Sequence, residues 1–579
     1  MQNLVNKKEE RFLAKRGRCV LKDIRIKFTF SEIILLLSII CVGGFNEYIS
    51  CLISCITSVY FFIKVFSKKE IRLQVNLFSI SIIVLSLFYG LTCFWAIDAG
   101  MSFIGFLKFM PIFLYMLISW QEEKEKEILD ILPYIAAGLV VVSAVGAQIP
   151  FLKAFFVVAG RFAGFFQYPN TFALFLLLCE LLVLQKGKLK IIDYVVAFIL
   201  IGGLLYTGSR TVFLLFIASN IAMFILIANR KVRIKMLLVM AFSMITMLFI
   251  MYLFKDNAII NRYLNMDFGA STFIGRLLYV VDALPLLLKY PFGMGYMGYY
   301  YIQNSIQTGV YNVTYVHNDF LQIFLDIGWI PGILFLIAVI SFFFKKTVTK
   351  SRKLIVGTFC LHTLFDFNLQ FIAMFLLFVT LMDVDTEKVR IFKIKKWMKA
   401  IPAVIFVLNI YLAVALILAH YEQREIANAI YPYNTRNTLR MMEAESDLEE
   451  ANRIADRIIK QNKTYFAPYS IKSKYAYLTG DFVEVIRNKN EVFLRYPFKY
   501  TEYKEYCVML INGVALYEQQ GDEASVKIIN QEILAAYEKL EANKTRLSKL
   551  GRRIEEQPTL EFSESVLTYV NKLKGVTGE

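Results

Sequence analysis

Histidine is scarce in this chain, with three residues in 579. Cysteine is scarce too: eight residues, none in a C-x-x-C or similar metal-ligand spacing. Seven of them (19, 41, 51, 55, 93, 179 and 360) lie in a basic N-terminal stretch or in apolar runs, and only Cys507 falls in the polar C-terminal part. A lone cysteine there cannot close an internal disulfide, so neither a disulfide scaffold nor zinc or thiol redox chemistry is expected. No short apolar core with a small-residue cleavage site opens the chain, which argues against a cleaved signal peptide. Lysine and arginine outnumber the acids 64 to 47. Yet no basic face with interleaved aromatics stands out, so nucleic acid is not an expected partner.

What is abundant is apolar surface. The chain is 57% hydrophobic, with a mean hydropathy of +0.53. Apolar runs of about 17–25 residues recur up to position 420, each long enough to cross a bilayer core of about 30 Å. The expected fold is all-α: a polytopic membrane helix bundle of about 12–13 transmembrane helices with a C-terminal helical-repeat domain.

Spans are read near 29–45, 48–66, 74–95, 102–120, 128–148, 170–185, 191–207, 211–229, 236–254, 326–344 and 402–420. Lys68/Lys69/Arg72, Lys186/Lys188/Lys190, Arg230/Lys231/Arg233/Lys235 and the 345–353 cluster fall on one side with the N-terminus, which makes that side cytoplasmic. The loop carrying Lys388 to Lys399 belongs there too, so residues 354–382 must cross twice and turn within HTLFDFNLQ. Three parts result: a basic cytoplasmic tail, 1–28; a transmembrane domain, 29–420, with a large external loop, 255–325; and an extracytoplasmic α-helical domain, 421–579. In the last, YLTGDF and YEQQGDE recur about forty residues apart between helix-like segments. That spacing is of the tetratricopeptide (TPR) kind and suits a protein partner.

Positive charge is scarce on the outer side, so each cation there needs a reason. Arg161, Arg210, Arg262 and Arg276 stand there, three of them beside a small residue (Gly160, Ser209, Gly275). Guanidinium groups bind phosphate, often through two nitrogens at once. His317, in VHNDFLQ, ends the large loop, and an imidazole suits proton transfer near neutrality. Asn318 and Asp319 beside it also read as helix caps. His362 and Asp366 are four apart, on one predicted helical face. They could orient the site, bind sugar or make a structural hydrogen bond. The glycine-rich turn YPFGMGYMG looks open enough for a bulky chain to pass. Glu180 is a weaker intramembrane case, and His420 reads as interfacial.

Taken in order, GRFAGFFQYPNTFALFLLL, TGSRTVFLLF, GRLLYVVDALPLLLKYPFGMGYMGYY, VHNDFLQIFLDIGWIPG and LHTLFDFNLQF resemble the O-antigen ligase and polymerase superfamily across about residues 30–385. The resemblance implies a multi-pass GT-C type glycosyltransferase of the cytoplasmic membrane, with its active site on the extracytoplasmic face. Its donor would be a glycan on undecaprenyl pyrophosphate; its acceptor, a glycan, a lipid or a protein. No metal, cofactor or nucleotide sugar is implied. Carried over residue by residue, the family's site falls on Arg210, Arg276 and His317 as catalytic residues. Arg161, Asn170, Asn318, Asp319, His362 and Asp366 follow as substrate-binding ones. The family often has Asn-Pro-Asn where this chain reads QYPN, so Gln167 and Tyr168 depart from it. The rival reading is a transporter or flippase of lipid-linked sugars. It calls for charged residues along a central path, whereas here the spans are nearly free of charge. A sensor with an external repeat domain leaves the arginines and His317 unexplained.

Overall fold

The computed structural model describes residues 28–67, 70–122, 128–186, 188–226, 230–253, 257–264, 271–383, 389–554 and 561–575. The basic stretch before Phe28 with Cys19, Lys68, Lys69, the loop 123–127, Lys255 and Lys388 lie outside the described residues.

The described chain is almost wholly helical. Among the described residues, five helices are long and apolar enough to cross a membrane: Glu47–Lys64, Leu77–Phe94, Ala99–Ser119, Ile128–Gly146 and Lys396–His420. Shorter apolar helices cover Phe30–Ile40, Pro169–Leu184, Ile191–Tyr206, Arg210–Leu226, Trp329–Phe344 and Ile372–Met382. Arg230–Leu253 and Lys350–Thr363 complete the set of predicted spans. Pro169–Leu184 is buried along its whole length, so it forms the axis of the bundle.

The first helix stops at Ile40, short of the predicted 45, because Gly43 and Gly44 adopt φ of 61° and 67°. A Cβ on Gly43 would sit 2.6 Å from the Phe166 ring, so the sharp turn requires glycine. Residues 354–382 form two helices, Lys350–Thr363 and Ile372–Met382, separated by a turn, as the loop charges demand.

Loop contacts sort the bundle into two ends. At one, strand Glu70–Gln74 pairs antiparallel with Val389–Lys393, and Arg72, Lys186 and Arg352 share a recess. These are the basic loops. At the other lie the short hairpin Val157–Val158/Arg161–Phe162, the 271–318 region and the C-terminal helices. There Tyr431 donates to the Gly100 carbonyl, Asn462 to Asp98, and Arg546 to the Gln307 carbonyl.

In the C-terminal part, YLTGDF and YEQQGDE make the same structure twice. Gly480 and Gly521, at φ of 75° and 71°, end one helix, and Asp481 and Asp522 cap the next. Two helix hairpins result, Ala467–Leu478 with Phe482–Arg495 and Tyr500–Gln520 with Glu523–Arg546, around a core of their own. The preceding helices behave differently: Tyr431, Leu439, Met442, Ile454 and Ile458 belong to the core of the bundle.

Candidate functional site

The turn after helix Lys350–Thr363 is anchored from three sides. Thr171 donates to Asn368 Oδ1 at 3.0 Å, the Leu369 amide donates to Asp319 Oδ2 at 2.9 Å, and Asn368 Nδ2 meets His362 Nδ1 at 2.8 Å. Asp366 projects from this turn and is fully buried. A buried carboxylate needs several donors, and four groups converge on this one. Arg276 Nη2 donates to Oδ2 at 3.2 Å and Asn170 Nδ2 donates to the same oxygen at 2.9 Å. Tyr168 Oη donates to Oδ1 at 2.9 Å. His317 Nδ1 lies 3.3 Å from Oδ1, an ion-pair contact without hydrogen-bond alignment.

His317 holds a left-handed backbone, φ 55°, which is costly for a residue with a Cβ and is typical of functional positions. Its ring lies 4.9 Å from that of Phe367 and 5.8 Å from that of Tyr279.

The remaining arginines form a string beside this hub. Arg161 donates to Asn170 Oδ1 at 2.8 Å and to the Thr207 carbonyl at 3.0 Å. Arg210 donates to the Arg262 carbonyl at 2.8 Å, and Arg262 returns a bond to the Gly208 carbonyl at 3.2 Å. Among the described residues none of these three has an acidic partner. The electrostatics differ accordingly. Burial disfavours the Arg276 charge, but Asp366 outweighs it and holds its pKa above the usual value. Arg161 is pushed down to about 10, first by burial and then by Arg262. The result is a string of arginines whose positive charge no acid among the described residues offsets.

Not every predicted residue joins this cluster. Asn318 caps helix Asp319–Ile327 through the Leu321 amide. Asp319 and His362 are buried and hold the turn from behind. His362 and Asp366 do not share a helical face, since the helix ends at Thr363 and Asp366 lies in the turn beyond it. Gly275 and Arg276 lie inside helix Ser271–Lys289 rather than in a turn, and a Cβ on Gly275 would meet the Tyr279 hydroxyl at 2.8 Å. The glycines of YPFGMGYMG are used for packing rather than passage. A Cβ on Gly293 would meet the Asp326 carbonyl at 2.5 Å.

Two participants escaped the sequence reading. Tyr168, seen there only as a departure from the family pattern, donates to Asp366 and lays its ring 4.8 Å from that of Phe367. Lys108 sits inside span Ala99–Ser119 with no exposure, bonded to Tyr296 and Tyr315 and ringed by Phe45 and Phe109. A lysine in the run FLKFM was the available signal.

Fold and site together define a polytopic all-α membrane protein with an arginine–histidine–carboxylate cluster at one end of its bundle. A family model described as O-Antigen ligase matches residues 195–337, the stretch that contains Arg210, Arg262, Arg276 and His317. The match supports the O-antigen ligase and polymerase superfamily, whose members are membrane enzymes of ligase or polymerase type. No curated protein and no solved structure matches the chain.

Proposed function

We propose that this protein transfers a glycan from undecaprenyl pyrophosphate to an acceptor hydroxyl on a glycan, lipid or protein. The reaction takes place at the extracytoplasmic face of the cytoplasmic membrane. The observation that carries this reading is Asp366 holding Arg276 and His317 in one cluster, with Arg161 joined through Asn170. The basic loops at the far end support an outer position for the cluster by the positive-inside rule.

In the reaction His317 takes the proton of the acceptor hydroxyl, with Asp366 at Nδ1 orienting the ring and balancing the imidazolium. The acceptor oxygen bonds to the anomeric carbon as the bond from that carbon to the diphosphate oxygen breaks. The leaving diphosphate takes the electron pair, and Arg276, Arg161 and Arg210 stabilise its growing charge. Asn170 links Arg161 to Asp366, so the anion-binding and proton-transfer halves move as one unit.

The test is reconstitution in liposomes with labelled lipid-linked glycan and acceptor. Glycan released from the lipid and joined to acceptor is the expected result, abolished by His317→Ala at unchanged expression. Movement of the intact lipid-linked glycan between leaflets, with no new glycosidic bond, would establish a flippase instead. Normal transfer by His317→Ala overturns the mechanism.

A further inference from the structure

A second polar cavity, of about 290 Å³, lies between the bundle and the C-terminal helices. Asn46 and Glu47 line it from the turn after the first helix, His420 from the end of the last span, and Asn434, Arg436 and Arg440 from the first part of the C-terminal domain. None of these residues takes part in the cluster around Asp366.

Its charges do not balance. Glu47 is the carboxylate of the lining among the described residues, and it is already engaged. Arg436 Nη1 lies 3.2 Å from Glu47 Oε1, and Tyr296 Oη donates to the same oxygen at 2.8 Å. Lys108 stands one phenol behind, 3.1 Å from Tyr296 Oη. Two cations therefore share one acid, and Arg436 is held above its ordinary pKa, burial opposing and Glu47 supporting its charge. Arg440 adds a third cation; it is exposed and has no ion-pair or hydrogen-bond partner among the described residues. His420, its ring tilted against that of Tyr48 at 5.0 Å, brings an aromatic ring to the rim. Amides, guanidiniums and an aromatic ring around a polar cavity are the groups that bind charged sugars.

A run of aromatic side chains links the cavity to the catalytic cluster. Tyr296 and Tyr315 hydroxyls meet at 3.0 Å, the Tyr315 ring lies 5.3 Å from Phe367, and Phe367 lies against His317. Tyr296, Tyr315 and Phe367 thus stand in succession between Glu47 of the cavity and His317.

Resting on the proposed glycan transfer, we infer that this cavity is a subsite for an acidic sugar of the glycan, its carboxylate or phosphate held by Arg440 with Arg436 behind. Binding is separable from transfer, so the test does not depend on turnover. Full-length protein in phosphatidylcholine nanodiscs is titrated with trigalacturonate and with neutral trigalactose. Wild type is expected to bind the acidic trimer and not the neutral one. Arg440→Ala should weaken that binding about tenfold, the size of one lost charged hydrogen bond. His317→Ala should leave it unchanged. Equal affinity in Arg440→Ala, equal binding of trigalactose, or no binding at all overturns the proposal. So does displacement of trigalacturonate by phosphatidylglycerol added to the nanodiscs, which would make a lipid head group the occupant. A failure of the glycan-transfer reading would appear instead as full transfer activity in His317→Ala.

Discussion

His317 Nδ1 lies 3.3 Å from Asp366 Oδ1, although 49 positions separate the two residues in the chain. A carboxylate facing Nδ1 leaves Nε2 as the nitrogen that meets the acceptor, and it stabilises the ring once a proton arrives. The left-handed backbone at His317, φ 55°, is what turns the ring toward that partner.

Removal of this pair should cost catalysis rather than donor binding. His317→Ala and Asp366→Asn are each expected to lower single-turnover transfer by roughly 10²–10⁴, the usual range for a positioned acid–base group. Donor affinity, measured separately with labelled lipid-linked glycan, should fall far less for His317→Ala. A loss of affinity as large as the loss of rate would place His317 in ground-state binding.

Arg276 lies 3.2 Å from Asp366 and faces the proposed leaving group. Arg276→Ala should reduce transfer by roughly 10²–10³, as loss of a charge-stabilising donor does. Arg276→Lys should recover little, because a single ammonium cannot serve Asp366 and a diphosphate in the planar, forked manner of a guanidinium. Substantial activity in the lysine variant would mean that only the charge matters.

Tyr168→Phe removes one of the donors to Asp366 but keeps the ring tilted against Phe367 and stacked with Phe371. The expected loss is about tenfold to a hundredfold in kcat, the size of one hydrogen bond to a charged group, with KM unmoved. Tyr168→Ala, which also strips the stacking, should lose far more. Equal loss in both variants would assign Tyr168 to packing alone.

Surplus charge at Arg161, Arg210 and Arg262 predicts stabilisation by a polyanion. Inorganic pyrophosphate should raise the thermal midpoint of the protein in detergent, since a ligand at 100 times its Kd adds about 2.7 kcal/mol. Arg161→Ala should shrink that shift while leaving the midpoint without pyrophosphate nearly unchanged, because its guanidinium is already disfavoured by burial and by Arg262. An undiminished shift would move the anion site elsewhere.

The C-terminal helices offer a stability test remote from the chemistry. Lys489 is fully buried and bridges Glu502 at 2.6 Å and Glu505 at 2.7 Å, with Ser470 also donating to Glu502. Lys489→Met leaves Glu502 buried without its cation, a change that typically costs about 3–5 kcal/mol. Hydrogen exchange in the full chain should accelerate across 467–520 and stay unchanged in the bundle. No change there would show that Glu502 finds another donor.

Much of this protein is legible from the chain alone. Hydropathy located the spans, because a stretch able to sit in lipid must be apolar residue by residue, a local property. Charge counting put two short helices within 354–382, observed as Lys350–Thr363 and Ile372–Met382, and gathered the basic loops at one end. Scarcity picked out His317 and the outer arginines, and glycine followed by aspartate located the helix breaks at 480 and 521. The meeting of these residues was not legible. Tyr168 reaches Asp366 across 198 positions and Arg276 across 90, and Lys108 reaches Tyr296 across 188. Which helix lies beside which is decided by side-chain packing between spans that look alike in hydropathy, so only the tertiary structure could make Asp366 the hub and join Glu47 to Arg436.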